Sequence, residues 1–287
     1  MIRKNNYATK APKSKHRGQA RFLGICGAIL VTLTVSASAK SAEPLDFRPS
    51  DVNILDADSG TLIGHGHYEV DRVGNQFVLH GENRYLSGEY DIEEDRLDAT
   101  GDHSRPTLRR YRHDFYDAAG TLVVASHLDV ETGLGVCGRV ENGAMSMTSE
   151  PLNFGADTYA GASILLPIQE FLRRGDINGT LDLHVFNCFP SPKLIAVRMK
   201  RVAKKQTWSQ YPGELEEIDI KPNFGFFTII VAPFVPKLAA WFDPTRDFLL
   251  VGAQLQRYYK GVKIILVRAH PANATTEANK RLASPPP

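Results

Sequence analysis

Hydrophobic and polar residues alternate along most of the chain beyond Pro44, with the period of two that is typical of β-strands. The alternation is clear in residues 77–86, 121–130, 181–189, 195–199 and 249–255, and residues 262–267 add a β-rich segment. Short turn sequences rich in glycine, asparagine and proline separate these segments at hairpin-like intervals. Strands with one apolar and one polar face are typical of antiparallel sheets. The pattern predicts a mostly β protein, a curved antiparallel sheet or open half-barrel.

One segment, residues 163–174, follows a helical period instead. Its apolar residues, among them Ile168 and Phe171, fall on one stripe, and Gly175 follows its last turn. Ser163 is the predicted N-cap of this helix. A single short helix among many strands is expected to lie over the sheet as a lid.

The first 42 residues have the order of a secretory signal peptide. Residues 1–21 are polar and basic, residues 22–35 are apolar, and small residues follow up to Ala42. The apolar segment has about 14 residues, whereas a spanning helix needs about 20. We therefore expect cleavage after Ala39 or Ala42 and export to the periplasm, with an uncleaved signal anchor as the alternative.

The remaining chain shows no convincing linker, so residues 43–269 are predicted to form a single antiparallel β domain. Residues 151–162 are the best candidate for a hinge between two halves of this domain. Residues 270–287 are rich in proline and small residues and lack an apolar pattern. This composition predicts a disordered tail.

Charge is unevenly distributed along the chain. The formal net charge is +2, but eight basic residues and no acidic residue lie in the first 42 positions. Beyond them, 26 basic residues stand against 32 acidic ones, so residues 43–287 carry a charge of about −6. An acidic body repels a phosphate backbone, which argues against nucleic acid as a partner.

Two cysteines, Cys137 and Cys188, lie outside the predicted leader. In an oxidising compartment they could form a disulfide, and two separate buried thiols are the alternative. The sequence alone leaves both open.

The pair His65 and His67 is the sharpest local signal for chemistry, because residues two apart on a strand point to the same face and could share a metal ion. His103, His113, His127 or Asp102 would be the third ligand. The acidic segment 90–95, continued by Asp98 and Asp102, could supply catalytic carboxylates, but a solvated hairpin is the default expectation for it.

No linear motif of a catalytic or cofactor-binding site supports an enzyme. Residues 133–138 match G-x-G-x-x-G literally, but the residues after them indicate a strand and a turn rather than a helix. We therefore expect a glycine-rich hairpin there, no cofactor and no catalysis.

The apolar segment 224–236 and the residues just after it interrupt the alternation, so both faces of the sheet would be apolar there. Such a surplus must be covered either by the protein itself or by a hydrophobic ligand. The candidate ligand-binding residues are Phe226, Phe227, Phe234, Trp241 and Phe242 on strands, with Ile168 and Phe171 from the helix.

Three segments near the end, residues 237–243, 248–255 and 261–267, resemble the closing pattern of exported proteins similar to the LolA/LolB lipoprotein-carrier superfamily. In that pattern an apolar strand ending in Trp, an apolar residue and Asp precedes two strands joined at a glycine. The resemblance implies a curved half-barrel lidded by helices, with a cavity for acyl chains. Under this resemblance, Ser163–Leu166 and Phe171 correspond either to the lid or to a mid-sheet helix.

These observations predict an exported envelope protein that binds or carries a hydrophobic small molecule or lipid, with transient membrane association. A metal-dependent hydrolase built around His65 and His67 is one alternative. The other is an envelope assembly or structural factor, whose partner would be an envelope protein paired with an exposed sheet edge.

Overall fold

A computed structural model describes residues 49–99, 106–175, 178–188, 191–203, 205–208, 211–223, 238–258 and 261–269. The predicted leader, residues 1–42, and the predicted tail, residues 270–287, lie outside them. In the described part of the chain, no helix combines the length and the apolar character that crossing a membrane requires.

Strands dominate the described residues. They are β1 (Ser50–Asp56), β2 (Leu62–Val73), β3 (Gln76–Tyr85), β4 (Tyr90–Asp98), β5 (Thr107–Tyr116), β6 (Leu122–Asp129), β7 (Leu134–Glu141), β8 (Ala144–Pro151), β9 (Thr158–Tyr159), β10 (Thr180–Cys188), β11 (Pro192–Arg201), β12 (Gln206–Trp208), β13 (Tyr211–Pro222), β14 (Leu238–Asp243), β15 (Leu249–Gln256) and β16 (Lys263–Arg268). The α-helix is α1 (Leu165–Arg173), and it follows directly on a 3₁₀ turn at Gly161–Ile164. A second 3₁₀ turn, Pro244–Arg246, joins β14 to β15.

Fifteen of these strands form one continuous sheet in the order β8-β7-β6-β5-β4-β3-β2-β1-β16-β15-β14-β13-β11-β10-β9. Neighbours are antiparallel except β9 and β10, which pair in parallel, and β12 pairs with β13 beside this path. Strands β1 to β8 form a meander of hairpins, and the last strand, β16, pairs with β1 in antiparallel orientation. The order has two ends, β8 and β9, so the sheet is not closed.

The open sheet curls until its two ends face each other. Strands β10 and β11 contact β7, which lies near the opposite end of the strand order, and β9 contacts β5. The hydroxyl of Tyr159 on β9 donates a hydrogen bond to the carbonyl of Pro106, just before β5, at 3.0 Å. The main hydrophobic core fills the concave face between the two ends, and α1 contributes Leu166, Ile168 and Leu172 to it.

The predicted fold class, a mostly β curved sheet with one short helix, is confirmed by this architecture. Each alternating segment of the sequence forms a strand, and the helix lies within the predicted segment 163–174. The predicted N-cap is wrong. Ser163 belongs to the 3₁₀ turn, where its hydroxyl bonds the backbone of Ala160, and Ile164 stands at the N-cap of α1 without a side-chain cap.

Candidate ligand-binding site

A cavity of about 1090 Å³ lies inside the curled sheet. Its wall includes residues of β2 to β7 on one side and of β10, β11 and β13 to β16 on the other. The 3₁₀ turn and α1 add Gly161, Ala162, Ile164, Leu165, Leu166 and Gln169. Ligand cavities in proteins typically measure about 300–1000 Å³. The curled sheet therefore encloses enough space for a small organic molecule.

One part of this wall is apolar. It is formed mainly by Val185, Ile195, Ile220, Phe242 and Leu250 from the sheet, with Ile164 from the turn before α1 and Leu165 from the start of α1. Val185 and Ile195 are directly paired across β10 and β11. Both pack against the core, are half-buried and line the cavity.

The opposite part of the wall is polar and is centred on β4. Asp91, Glu93 and Asp95 point inward and are buried, with exposures of 0%, 4% and 0%, whereas Ile92 between them is 45% exposed on the outside. Asp91 and Glu93 line the cavity. The expected solvated hairpin is therefore wrong for the inner face of β4, where Asp91, Glu93 and Asp95 face the interior of the curled sheet.

A chain of hydrogen bonds connects the polar groups of this wall. Asn83 donates from Nδ2 to Tyr68 Oη at 2.9 Å and to Asp91 Oδ1 at 2.8 Å. The same Asp91 oxygen lies 2.9 Å from Nε2 of His113, whose Nδ1 is 3.2 Å from the Tyr111 hydroxyl. The network links β2, β3, β4 and β5 across the inner face, and such buried networks hold their members in one arrangement.

The 3₁₀ turn before α1 provides backbone donors for the other two carboxylates. The Ala162 amide donates to Glu93 Oε1, and the Ser163 amide donates to Asp95 Oδ2 at 2.9 Å. These bonds anchor the turn to β4 and thereby place α1 on the concave face. The acidic residues of β4 thus position the helix as well as line the cavity.

Burial perturbs the ionisation of these groups. Burial raises the pKa of Glu93 and raises the pKa of Asp95 well above its ordinary value. Burial alone would lower the pKa of His113, but the carboxylates of Glu93 and Asp91 outweigh it, so that the pKa of His113 is raised. Burial and the same carboxylates raise the pKa of Tyr68 and of Tyr111. Perturbed groups that line a cavity are characteristic of functional sites.

Glycines make room for the polar network. A Cβ atom on Gly81 would lie 2.6 Å from the ring of Tyr68, which occupies the space beside Glu93. Gly161 has a positive φ of 47°, and a Cβ there would collide with Glu93 and Tyr111. Bulky side chains at these two positions would therefore displace Tyr68 or the turn that holds Glu93.

The candidate ligand-binding residues predicted from the sequence do not all lie at one site in the structure. Phe242 lines the cavity, whereas Ile168 and Phe171 lie in the core beside it. Trp241 points to the other face of the sheet, where it packs with Tyr211 and Leu215. Adjacent strand residues point to opposite faces, so Trp241 and Phe242 cannot share one wall. Three further candidates lie outside the described residues, namely Phe226, Phe227 and Phe234.

His65 and His67 lie on the outer face of β2. His65 Nδ1 is 3.1 Å from Asn53 Oδ1, and His67 Nδ1 is 2.8 Å from Asp51 Oδ1. His113 points to the inner face, and His127 lies four strands away from β2, which corresponds to about 19 Å. Within the described ranges, no group of three His, Cys, Asp or Glu side chains is arranged to hold a metal ion.

A disulfide joins Cys137 on β7 to Cys188 on β10, with 5.5 Å between the two Cα atoms. The two strands are far apart in the order of the sheet, so the bond ties its two facing ends together. Both cysteines line the cavity. Persistent structural disulfides are typical of oxidising compartments outside the cytoplasm, and this bond is consistent with such a location.

Part of this site could have been found from the sequence. Asp91, Glu93 and Asp95 share one strand face with Leu97, and an acidic row that continues into a buried leucine indicates an inward face. No local sequence pattern indicates that Tyr68, Asn83 and His113 belong to this site. They meet only because the register of four neighbouring strands places them side by side.

The fold and the cavity define a protein with an open, curled and mostly antiparallel β-sheet around a cavity of mixed polarity. No protein-family model and no curated protein sequence matches the chain. Among solved structures, it is similar to a β-barrel-like protein of the domain of unknown function DUF1849 from Brucella abortus. That match has a TM-score of 0.44 and 11% sequence identity, and it covers 77% of this chain and 94% of the other.

Proposed function

We propose that this protein is an exported, non-catalytic binder or carrier of an amphiphile, whose hydrocarbon chain lies in the cavity of the curled sheet. The observation that carries the proposal is the cavity of about 1090 Å³ with one apolar wall. Covering a large apolar side chain contributes about 1.5–3 kcal/mol. A hydrocarbon chain placed against Val185, Ile195 and Ile220 would remove apolar surface that the folded protein leaves uncovered.

The arrangement of the apolar surplus supports a ligand on the inner face rather than the outer face. On the outer face, Trp241 is 6% exposed because the beginning of β13 covers it, and its indole donates to Glu217 Oε2 at 3.3 Å. On the inner face, Val185 and Ile195 pack against the core but are only half-buried, so a ligand there would cover apolar surface. This difference between the two faces supports a ligand on the inner face.

The compartment that we propose is the periplasm. The Cys137–Cys188 disulfide supports an oxidising environment, and the signal-peptide pattern of residues 1–42 supports export. A carrier of this kind would meet membranes transiently while it takes up or delivers its ligand. This function also agrees with the sequence resemblance to the lipoprotein-carrier superfamily.

A cavity-filling substitution tests the proposal. Ile195→Trp places a large side chain into the apolar part of the cavity, whereas Ile92→Trp adds the same side chain on the outer face of β4. We expect delipidated protein to bind a fluorescent fatty acyl probe whose head group carries no negative charge, Ile195→Trp to weaken this binding at least about tenfold, and Ile92→Trp to leave it unchanged. A tenfold loss corresponds to about 1.4 kcal/mol of binding free energy.

Two results would contradict the proposal. One is a delipidated protein that binds no acyl-chain probe, together with mass spectrometry that finds no lipid in the protein as purified from cells. The other is equal binding by both tryptophan variants, because the probe would then occupy a surface outside the cavity. Circular dichroism of both variants checks that the sheet is intact.

A further inference from the structure

The polar wall of the cavity contains more carboxylates than basic groups to match them. Asp91, Glu93 and Asp95 occupy alternate positions of β4 and therefore share its inner face. His113 is directly paired with Glu93 across β4 and β5 and is the basic side chain within this network. Even when His113 is protonated, one imidazolium faces three carboxyl groups.

The arginines that line the cavity have other partners. Arg257 donates from Nη1 to Glu89 Oε2 at 2.6 Å, and its guanidinium lies 3.5 Å from the centre of the Tyr85 ring. Arg139 pairs with Glu141, and Arg268 donates from Nε to the carbonyl of Leu250 at 3.3 Å. None of these bonds reaches Asp91 or Glu93, so the cavity remains acidic at its polar end.

Within the part of the chain that the structure describes, a carboxylate oxygen of the cavity wall lacks a hydrogen-bond partner. Asp91 Oδ1 accepts from Asn83 and His113, but Asp91 Oδ2 is buried without a hydrogen bond. The Tyr85 hydroxyl is also buried, and burial together with the neighbouring Asp91 carboxylate raises the pKa of Tyr85. A buried polar atom without a hydrogen bond destabilises the folded protein, and the effect is larger where the group is charged. Because Asp91 lines the cavity, a ligand in the cavity can supply the missing donor.

The chemistry of this end selects among polar head groups. A carboxylate or a phosphate would be buried next to Asp91 and Glu93, and like charges in a desolvated site repel strongly. An alcohol can donate one hydrogen bond but adds no charge. An ammonium group donates up to three hydrogen bonds and gains charge-assisted bonds with carboxylates.

We propose that the polar end of the cavity binds the ammonium group of a cationic amphiphile, with Asp91 and Glu93 as its acceptors. The hydrocarbon chain of this ligand extends along the apolar wall formed by Val185, Ile195 and Phe242. This inference rests on the proposed function, since it names the head group of the ligand that the cavity takes. It assigns a different ligand class from a fatty acid or a phospholipid with an anionic head.

Three probes of equal chain length separate the head group from the chain. Decylamine, decanol and decanoate are titrated calorimetrically into the delipidated full-length protein at neutral pH and about 0.15 M salt. We expect decylamine to bind at least about tenfold more tightly than decanol, and decanoate to bind most weakly. In Asp91→Asn, decylamine affinity should fall about tenfold while decanol affinity stays within about twofold.

Matched variants guard the interpretation. Glu94→Gln removes a carboxylate from the same strand on the opposite face, where Glu94 bonds Arg96 at 2.8 Å. It should leave the preference for decylamine unchanged, which separates a specific site from general attraction to an acidic protein. If Asp91→Asn does not fold, as judged by circular dichroism and thermal unfolding, Glu93→Gln is measured in its place with the same expectation.

The outcomes distinguish this inference from the proposed function. If decanol and decanoate bind as tightly as decylamine, or if the folded Asp91→Asn or Glu93→Gln variant keeps the preference, the head-group inference is wrong and the apolar cavity stands. An equal loss in Glu94→Gln overturns the inference in the same way. If none of the three probes binds, the proposed function itself fails.

Discussion

Removal of the disulfide should cost this protein a large part of its stability. The change is the double substitution Cys137→Ala and Cys188→Ala, which deletes the bond between β7 and β10 and leaves the strands themselves unaltered. Because the bond joins the two facing ends of an open sheet, its loss acts on the curled shape rather than on one hairpin.

The size of the effect follows from the length of the loop that the bond closes. The two cysteines are 51 positions apart. In the chain-entropy treatment, a loop of this length restricts the unfolded chain by about 4 kcal/mol at 25 °C. Folded domains are commonly stable by about 5–15 kcal/mol, so the double variant should remain folded under mild conditions with a much lower unfolding midpoint.

Urea unfolding followed by circular dichroism measures this difference in the free energy of unfolding. The slope of that free energy against urea should rise in the double variant, because its unfolded chain is more expanded. Ser126→Ala is the matched control, since Ser126 is paired with Cys137 across β6 and β7 and closes no loop. A loss below about 1 kcal/mol in the double variant, or an equal loss in Ser126→Ala, would refute the reasoning.

Three further substitutions test the polar groups around the core. Burial raises the pKa of Asp95 above its unfolded value of about 3.9, so the wild type loses stability as the pH rises from below that value through the folded pKa. Asp95→Asn removes this dependence, while its amide Oδ1 can still accept the hydrogen bond from the turn. In urea unfolding, the free energy of unfolding of the variant should therefore rise relative to that of the wild type between pH 4 and pH 7. A difference that stays constant over this range would contradict the prediction. Asp243→Ala removes the acceptor of the Tyr211 hydroxyl, which lies at 2.7 Å, and the N-cap of the following 3₁₀ turn. It should lower the free energy of unfolding by about 1–3 kcal/mol in the same assay. Asp247→Ala, on the exposed side of that turn, should lower it less. Gly161→Ala forces a side chain into a left-handed backbone against Glu93 and should lower the thermal midpoint by several degrees, while Gly175→Ala, which has a positive φ but open space around it, should lower it less.

The strands could be predicted well from the sequence because each contains its own signal. The alternation of Leu181, Leu183 and Val185 places one face of β10 inward whatever its partners are, and the structure confirms that segment as a strand. The helix prediction is confirmed for a similar reason, since α1 has an apolar stripe of its own. Its start was mispredicted because Ser163 bonds the preceding turn rather than the helix.

The candidate site could be predicted less well. The apolar composition of the segment predicts that Trp241 and Phe242 line the same wall. They do not, because neighbouring residues on a strand point to opposite faces of the sheet. The acidic residues of β4 were expected in solvent because acidic side chains usually are. Their burial depends on Asn83, His113 and the backbone of the turn at Ala162, which are distant in the chain.

Local patterning by itself therefore determined that this protein is a sheet of hairpins with one short helix, because the period of apolar residues is a property of each segment. The tertiary structure alone decided that the sheet curls upon itself, that Cys137 meets Cys188, and that Asp91 and Glu93 face a cavity. The physical reason is that these contacts join residues on strands far apart in the order of the sheet. Their energies depend on register and curvature, which no short stretch of sequence encodes.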